Sequence, residues 1–371
     1  MSSIDPIADQ DSRTEARRAL QICNSCRYCE GYCAVFPAMT QRRAFSDGDL
    51  DYLANLCHGC RGCYYSCQYA PPHPFQLNLP QTLAEVRGES YARYAWPAPL
   101  ARLFQRNGLV VSLAVSISLG LVLALTVLLQ NEGILFGAHR GPGAFYAVIP
   151  HWVMVAVAGG TFGFAILALL MGFLRFWKGT GGSLRRLTDP RALAKALSDI
   201  ATLRNLGGGA EGEGCTYPDE AFSNRRRWLH QIMMYGFLLC FAATAVGTLF
   251  DYGFGWEAPY SWYSLPVLLG TVGGLGLLIG PAGLLALKFV ADPAPGVRRQ
   301  LGMDVALLAL LFLVSLTGLV LLVFRETPAM GILLAIHLGF VLGLFVTLPY
   351  GKFVHSIYRA AALLKAAQER P

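Results

Sequence analysis

Eight of the ten cysteines fall in two runs of one spacing: Cys23, Cys26, Cys29 and Cys33, then Cys57, Cys60, Cys63 and Cys67. Each run reads C-x2-C-x2-C-x3-C. Three thiolates three residues apart can wrap one iron–sulfur cubane along a turn and a short helix, and a fourth must come from elsewhere. In two-cluster ferredoxins the last cysteine of each run ligates the other cluster. The pattern therefore predicts two [4Fe-4S] clusters, one on Cys23, Cys26, Cys29 and Cys67, the other on Cys57, Cys60, Cys63 and Cys33. The proline that usually follows the fourth cysteine is absent, with Ala34 and Gln68 in its place. Structural zinc also takes four thiolates, but its sites pair C-x2-C units. Cys215 and Cys240 stand outside both runs. Cys240, in an apolar stretch, reads as a small buried hydrophobe.

Four histidines carry the second chemistry. His151 and His337 lie toward one end of long apolar segments, His230 and His355 toward the other. An imidazole in lipid is costly without a task, and axial ligation of haem b is such a task. Matching depth pairs His151 with His337 and His230 with His355. Two haems b are expected, with one as the alternative, against the reading that interfacial histidines merely snorkel. His337 and His355 are eighteen residues apart, five turns of an uninterrupted helix, so one helix is expected to offer a ligand to each of two stacked haems. Pro349 lies between them. His58, beside Cys57, is expected to tune a cluster by hydrogen bonding. His139 reads as a surface residue.

These residues need a scaffold, and the composition says which. The 371 residues are 54% hydrophobic and only 14% charged. Apolar segments at about 107–130, 145–174, 229–250, 263–289, 302–324 and 330–354 are each long enough to span a bilayer. The expected architecture is an α-helical ferredoxin-like domain at 1–106, a six-helix transmembrane haem-binding bundle at 107–358 with a cytoplasmic loop at 175–228, and a cytoplasmic tail at 359–371. The first 22 residues are polar, with Asp5, Asp9 and Asp11, and lack the apolar core of a signal peptide. A short helix is expected from Ser12 to Gln21, and Pro281 is expected to bend the fourth segment. The 175–228 connection holds ten Lys and Arg, and the 290–300 turn adds Arg298 and Arg299, whereas the opposite loops hold only Arg140 and Arg325. The basic side faces the cytoplasm. Both termini should therefore lie on the cytoplasmic side of a bacterial inner membrane.

The net charge of +7 is carried by arginines flanking apolar helices, a pattern of membrane topology rather than nucleic-acid binding. Gly207, Gly208 and Gly209 lack the G-x-G-x-x-G spacing, so no FAD or NAD site is assigned. Gly159, Gly160 and Gly163, and the glycines from Gly270 to Gly280, are expected to let helices pack closely. Trp228, Tyr235 and Arg227 on one side, and Tyr146, Trp152 and Trp262 on the other, are candidates for a quinone site or simple interfacial anchors.

With both cysteine runs, the peptide FQLNLPQTLAEVR at 75–87 and the six-span tail, the whole chain resembles the tricarballylate and citrate utilisation B proteins. The histidine arrangement also looks like the dihaem subunit of respiratory nitrate reductase. The resemblance implies a membrane electron-transfer subunit with quinone-reductase activity. It would take electrons from the FAD of a partner tricarballylate dehydrogenase and pass them through two clusters and haem b to quinone. The cysteine motif also fits redox subunits of other dehydrogenases or of heterodisulfide reductases. A transporter with a metal-binding head is the reading from another class, and the scarcity of intramembrane acids argues against it.

Overall fold

The computed structural model describes residues 12–104, 106–207 and 215–369; the acidic lead-in, Gly208 and Gly209 lie outside the described residues. The head is helical: α1 (Ser12–Cys26), α2 (Val35–Thr40), α3 (Asp47–Leu56), α4 (Gly62–Tyr65) and α5 (Leu79–Tyr94). α1 runs past Gln21, so Cys23 and Cys26 ride on its last turn. Ser46 starts α3 with a capping box, its hydroxyl accepting from the Asp49 N–H while the Asp49 carboxylate accepts from the Ser46 N–H. Asn78 caps α5, with Pro80 in the first turn. Leu50, Leu53 and Leu56 of α3 pack with Leu20 of α1 and Leu83 and Tyr91 of α5. Asp51 is buried beneath them and accepts from Arg13 Nη2 at 2.6 Å and Tyr94 OH at 2.7 Å. Two strong donors offset the cost of burying that carboxylate.

Beyond the head the chain continues as α6 (Asn107–Leu129), α7 (Glu132–Leu135), α8 (Ala144–Val148), α9 (His151–Gly179) and α10 (Pro190–Ala201). A two-residue antiparallel ladder follows, β1 (Cys215–Thr216) with β2 (Phe222–Ser223). Then come α11 (Arg225–Phe254), α12 (Leu265–Phe289), α13 (Leu301–Phe324), α14 (Met330–Thr347) and α15 (Val354–Glu369). Six helices among the described residues are long and apolar enough to cross a membrane: α6, α9, α11, α12, α13 and α14. The protein is a multi-pass membrane protein. The most apolar window of α14 is 44% buried and that of α11 only 11%, so α14 runs through the bundle centre and α11 along its edge.

Two expectations change, on the sixth span and on the glycines. The sixth span does not run through to residue 354: α14 stops at Thr347, a 3-10 turn spans Leu348–Tyr350 at Pro349, and α15 begins afresh at Val354. Proline lacks the N–H that would continue the helix, so His337 and His355 sit on different helices and the five-turn register does not apply. α12 runs through Pro281 as one helix. The glycines divide: a Cβ on Gly273 would stand 2.8 Å from Cys240 N and one on Gly236 2.9 Å from Gly273 O, so α11 and α12 touch backbone to backbone, whereas Gly159, Gly160 and Gly163 have open space beside them.

Residues 359–369, expected in a tail, belong to α15, which closes the head. Ala361, Ala362 and Leu363 pack with Leu50 and Tyr52 of α3 and with Phe176 and Trp177 of α9. Glu369 receives Arg42 Nη2 at 2.7 Å. One core therefore joins the head to the near ends of the bundle helices.

Candidate metal centres

Both cysteine runs turn at the same place. Arg27, after Cys26, has φ 55°, and Arg61, after Cys60, has φ 68°. Non-glycine residues rarely adopt this left-handed region. Here it turns the chain at the same point of each run. Tyr32 OH donates to Ser66 Oγ at 3.1 Å, and the Gln68 amide stands 3.8 Å from Cys26 Sγ, so the end of each run meets the other run.

The thiols accordingly sort into two neighbourhoods. Burial pushes Cys23 up to about 12, and its neighbours Cys67, Cys29 and Cys26 add to the rise. Cys33 is raised well above the ordinary thiol value, first by its hydrogen bond with Cys60, then by burial and by Cys63 and Cys57. Cys60 is held low, first by a hydrogen bond with Cys215 and then by Cys33. Cys215 was not legible as a partner from its spacing. Cys29, raised to about 11 by burial, also feels Cys60, and Cys63, raised by burial, also feels Cys29 and Cys23, so the neighbourhoods adjoin. Cys23, Cys26, Cys29, Cys63 and Cys67 line a small cavity of about 30 Å3. A single zinc ion needs its sulfurs about 2.3 Å from one point. Among the described residues no three or more His, Cys, Asp or Glu side chains converge tightly enough to hold one metal ion. Thiols from both runs gather in each neighbourhood, with Cys63 shared between them and Cys215 beside Cys60, and thiolate sulfur is the donor type that iron–sulfur clusters take.

Beneath the second run lies the inner histidine pair. The rings of His230, one turn into α11, and His355, at the start of α15, have centroids 6.2 Å apart with planes at 84°. That gap accommodates one metal with bonds of about 2 Å to each imidazole. His355 Nδ1 donates to Lys352 O at 2.6 Å, leaving Nε2 as a free lone pair. Burial, then Arg359 and Lys352, push His355 well below its ordinary value and keep it neutral. His230 Nδ1 is buried without a hydrogen-bond partner among the described residues. Both rings line a cavity of about 570 Å3, walled by Met233 and Leu308 and rimmed by Arg87, Arg226, Lys288, Lys352 and Arg359. Asp304 in its wall receives Lys288 Nζ at 2.5 Å and Lys352 Nζ at 2.8 Å. Two facing imidazoles, an apolar wall and a basic rim fit an anionic haem.

The outer pair is arranged differently. His151 Nε2 stands 3.1 Å from Asp251 Oδ2, with the Tyr146 ring 4.7 Å and the Tyr252 ring 5.8 Å away. His337 Nδ1 meets Thr317 Oγ1 at 3.2 Å. His151 opens α9, whereas His337 lies seven residues into α14, about 10 Å deeper by helix rise. The structure gives each its own partners rather than one another.

The other singled-out residues have local duties. His58 Nδ1 donates to Leu56 O at 2.7 Å, and burial, then Arg359, hold it well below its ordinary value. His139 Nε2 closes its loop on Ile134 O at 2.7 Å. Tyr235 OH donates to Ala201 O at 3.0 Å and Arg227 Nη2 to Thr202 O at 2.9 Å, so both hold the end of α10. Trp152 is exposed, as an interfacial anchor would be, and Trp262 lies under Arg325. Arg226, noted in the sequence only as part of a basic cluster, and Arg359 are each four residues from a histidine of the inner pair.

The family model described as citrate utilization protein B matches residues 102–371, and that of its Fer4-like domain matches residues 16–93. A protein of Escherichia coli named citrate utilization protein B is 49% identical over 363 residues, covering 97% of this chain and 93% of the relative. No solved structure matches the chain.

Proposed function

The chain belongs to the citrate utilization protein B family, and we propose that it is the membrane electron-transfer subunit of a tricarboxylate-oxidising system. It reoxidises the FAD of a partner tricarballylate dehydrogenase, which docks on the head, and delivers the electrons to membrane quinone. When bound, two [4Fe-4S] clusters and haem b would supply one-electron chemistry between a two-electron flavin and a two-electron quinone. Cys23, Cys26, Cys29 and Cys67 hold one cluster, and Cys57, Cys60, Cys63 and Cys33 hold the other. His230 and His355 hold the inner haem; His151 and His337 are proposed for a second, each giving up its present hydrogen bond to do so. The head, the basic 175–228 connection and both termini lie on the cytoplasmic side of a bacterial inner membrane.

The observation that carries this reading is the contiguity of the two centres. The loop bearing Cys57 and Cys60 and the facing rings of His230 and His355 stand at one cavity. Exposed residues on the far side, Tyr28, Glu30 and Phe75, leave the first thiol neighbourhood near the surface where a flavoprotein can approach.

The test is anaerobic purification with iron, sulfide and haem counted per chain, followed by mixing with a reduced tricarballylate dehydrogenase and a short-chain quinone. About eight irons and eight sulfides are expected from two cubanes, with haem reduction that requires the flavoprotein. Zinc in place of iron, or haem that stays oxidised, defeats the reading.

A further inference from the structure

The two thiol neighbourhoods differ sharply in the charge around them. Arg226, from α11, donates Nη1 to Gly59 O at 2.7 Å and Nη2 to His58 O at 3.0 Å. Arg359, from α15, donates Nη2 to Cys57 O at 2.9 Å and Nε to Asn55 O at 3.2 Å. Arg87, from α5, donates Nη1 to Cys57 O at 2.8 Å. Three guanidinium groups from three separate helices thus grip one ligand loop, and among the described residues none of the three forms an ion pair with a carboxylate. Asp292 and Asp304 line the same cavity, but Tyr65 OH donates to Asp292 at 2.7 Å and Asp304 is taken by Lys288 and Lys352. Around the first neighbourhood the arginines are paired or screened: Arg18 is bound to Glu15 at 2.6 Å, and Arg27 is exposed to water.

Adding an electron to a thiolate-bound cluster adds negative charge, and enclosed positive charge nearby stabilises that reduced state far more than charge screened by water. The spacing is also directional. Arg226 and His230, and His355 and Arg359, are each four residues apart on one helix face. Each helix therefore places an arginine on the Cys57 loop and a histidine one turn away in the inner pair.

Resting on the two-cluster reading above, we propose that Arg226, Arg359 and Arg87 are positioning residues that give the cluster on Cys57, Cys60, Cys63 and Cys33 the higher reduction potential and so set the direction of flow. One electron, resupplied by the partner's reduced flavin, leaves the cluster on Cys23, Cys26, Cys29 and Cys67, which is oxidised. The electron reduces the cluster under the arginines. No bond is made or broken, and no proton moves.

The experiment is a potentiometric titration of the anaerobic full-length protein followed by electron paramagnetic resonance. R226K keeps the charge but disturbs the forked contacts to Gly59 and His58, so it marks by an altered spectrum the cluster nearest Arg226. The marked cluster is expected to be the one reduced at the higher potential. R226Q is expected to shift the one-electron equilibrium between the clusters about tenfold toward the first, ~59 mV, with the first cluster's own potential unchanged. A marked cluster that titrates at the lower potential overturns the ordering, as does an R226Q protein with both clusters intact and both potentials unmoved. Wild-type protein without iron and sulfide instead overturns the two-cluster reading, and that measurement comes before any variant is titrated.

Discussion

The head-side and far ends of the bundle each offer two histidines, yet only the head-side end brings its two together. His230 and His355 face each other across 6.2 Å at a cavity of about 570 Å3. At the outer end His151 is engaged by Asp251 and His337 by Thr317. Residue type is alike at both ends. What differs is a second layer: at the inner end Lys352 orients one ring and arginines tie the helices to the head, while at the outer end a carboxylate occupies the imidazole that a haem would need. A histidine's prior hydrogen bond thus bears on ligation as much as its depth does.

The sharpest break of this comparison is removal of an inner ligand. H230A or H355A should lower inner haem at least tenfold while leaving iron and sulfide in place, read by pyridine haemochrome assay and metal analysis. If both variants keep the wild-type haem content, the inner site is misassigned. Next, an outer haem must displace the His151–Asp251 contact, and a hydrogen bond to a charged group contributes about 1.5–3 kcal/mol. Outer haem should therefore be lost at least tenfold more readily than inner haem during detergent dilution, and D251N should narrow that difference.

Within the head, D51N leaves Arg13 and Tyr94 around a weaker acceptor and should destabilise the protein by about 3 kcal/mol, visible as a lower unfolding midpoint. The pH dependence is smaller and has a definite sign. His58 is held neutral in the fold, but it protonates below about 6.5 in the unfolded chain. The unfolded state therefore binds the extra proton, and stability falls as pH drops from about 6.5 toward the depressed folded value. H58Q should flatten that acid limb by about one proton, ~1.4 kcal/mol per pH unit, in denaturant titrations at pH 5 to 7. The smallest effect separates the glycines. G160A, with open space beside it, should stabilise its helix by about 0.5–1 kcal/mol, whereas G273A should destabilise because its Cβ would meet Cys240.

The six spans were legible because a run of apolar residues longer than the bilayer is thick is stable in lipid and not in water. The thiol grouping was legible in outline because ligand spacing is local along the chain. The helix break at Pro349 was half legible: the proline marked a weak point, but where the chain resumed depended on α15 finding a place against α3 and α9. The fate of residues 359–369 was hidden, because a short amphipathic segment reads alike whether it trails in water or caps a core.

Composition and short-range spacing thus determined by themselves that this chain enters lipid, that its cysteines fall in two runs of one spacing and that histidines stand near both ends of the spans. Only the tertiary structure decided which histidines meet, that Cys215 reaches Cys60, and that Arg87, Arg226 and Arg359 converge on one loop. The physical reason is range. Hydrophobic length and ligand spacing act within a segment. The meeting of α5, α11 and α15 instead joins residues far apart in the chain, through backbone carbonyls that no residue pattern marks.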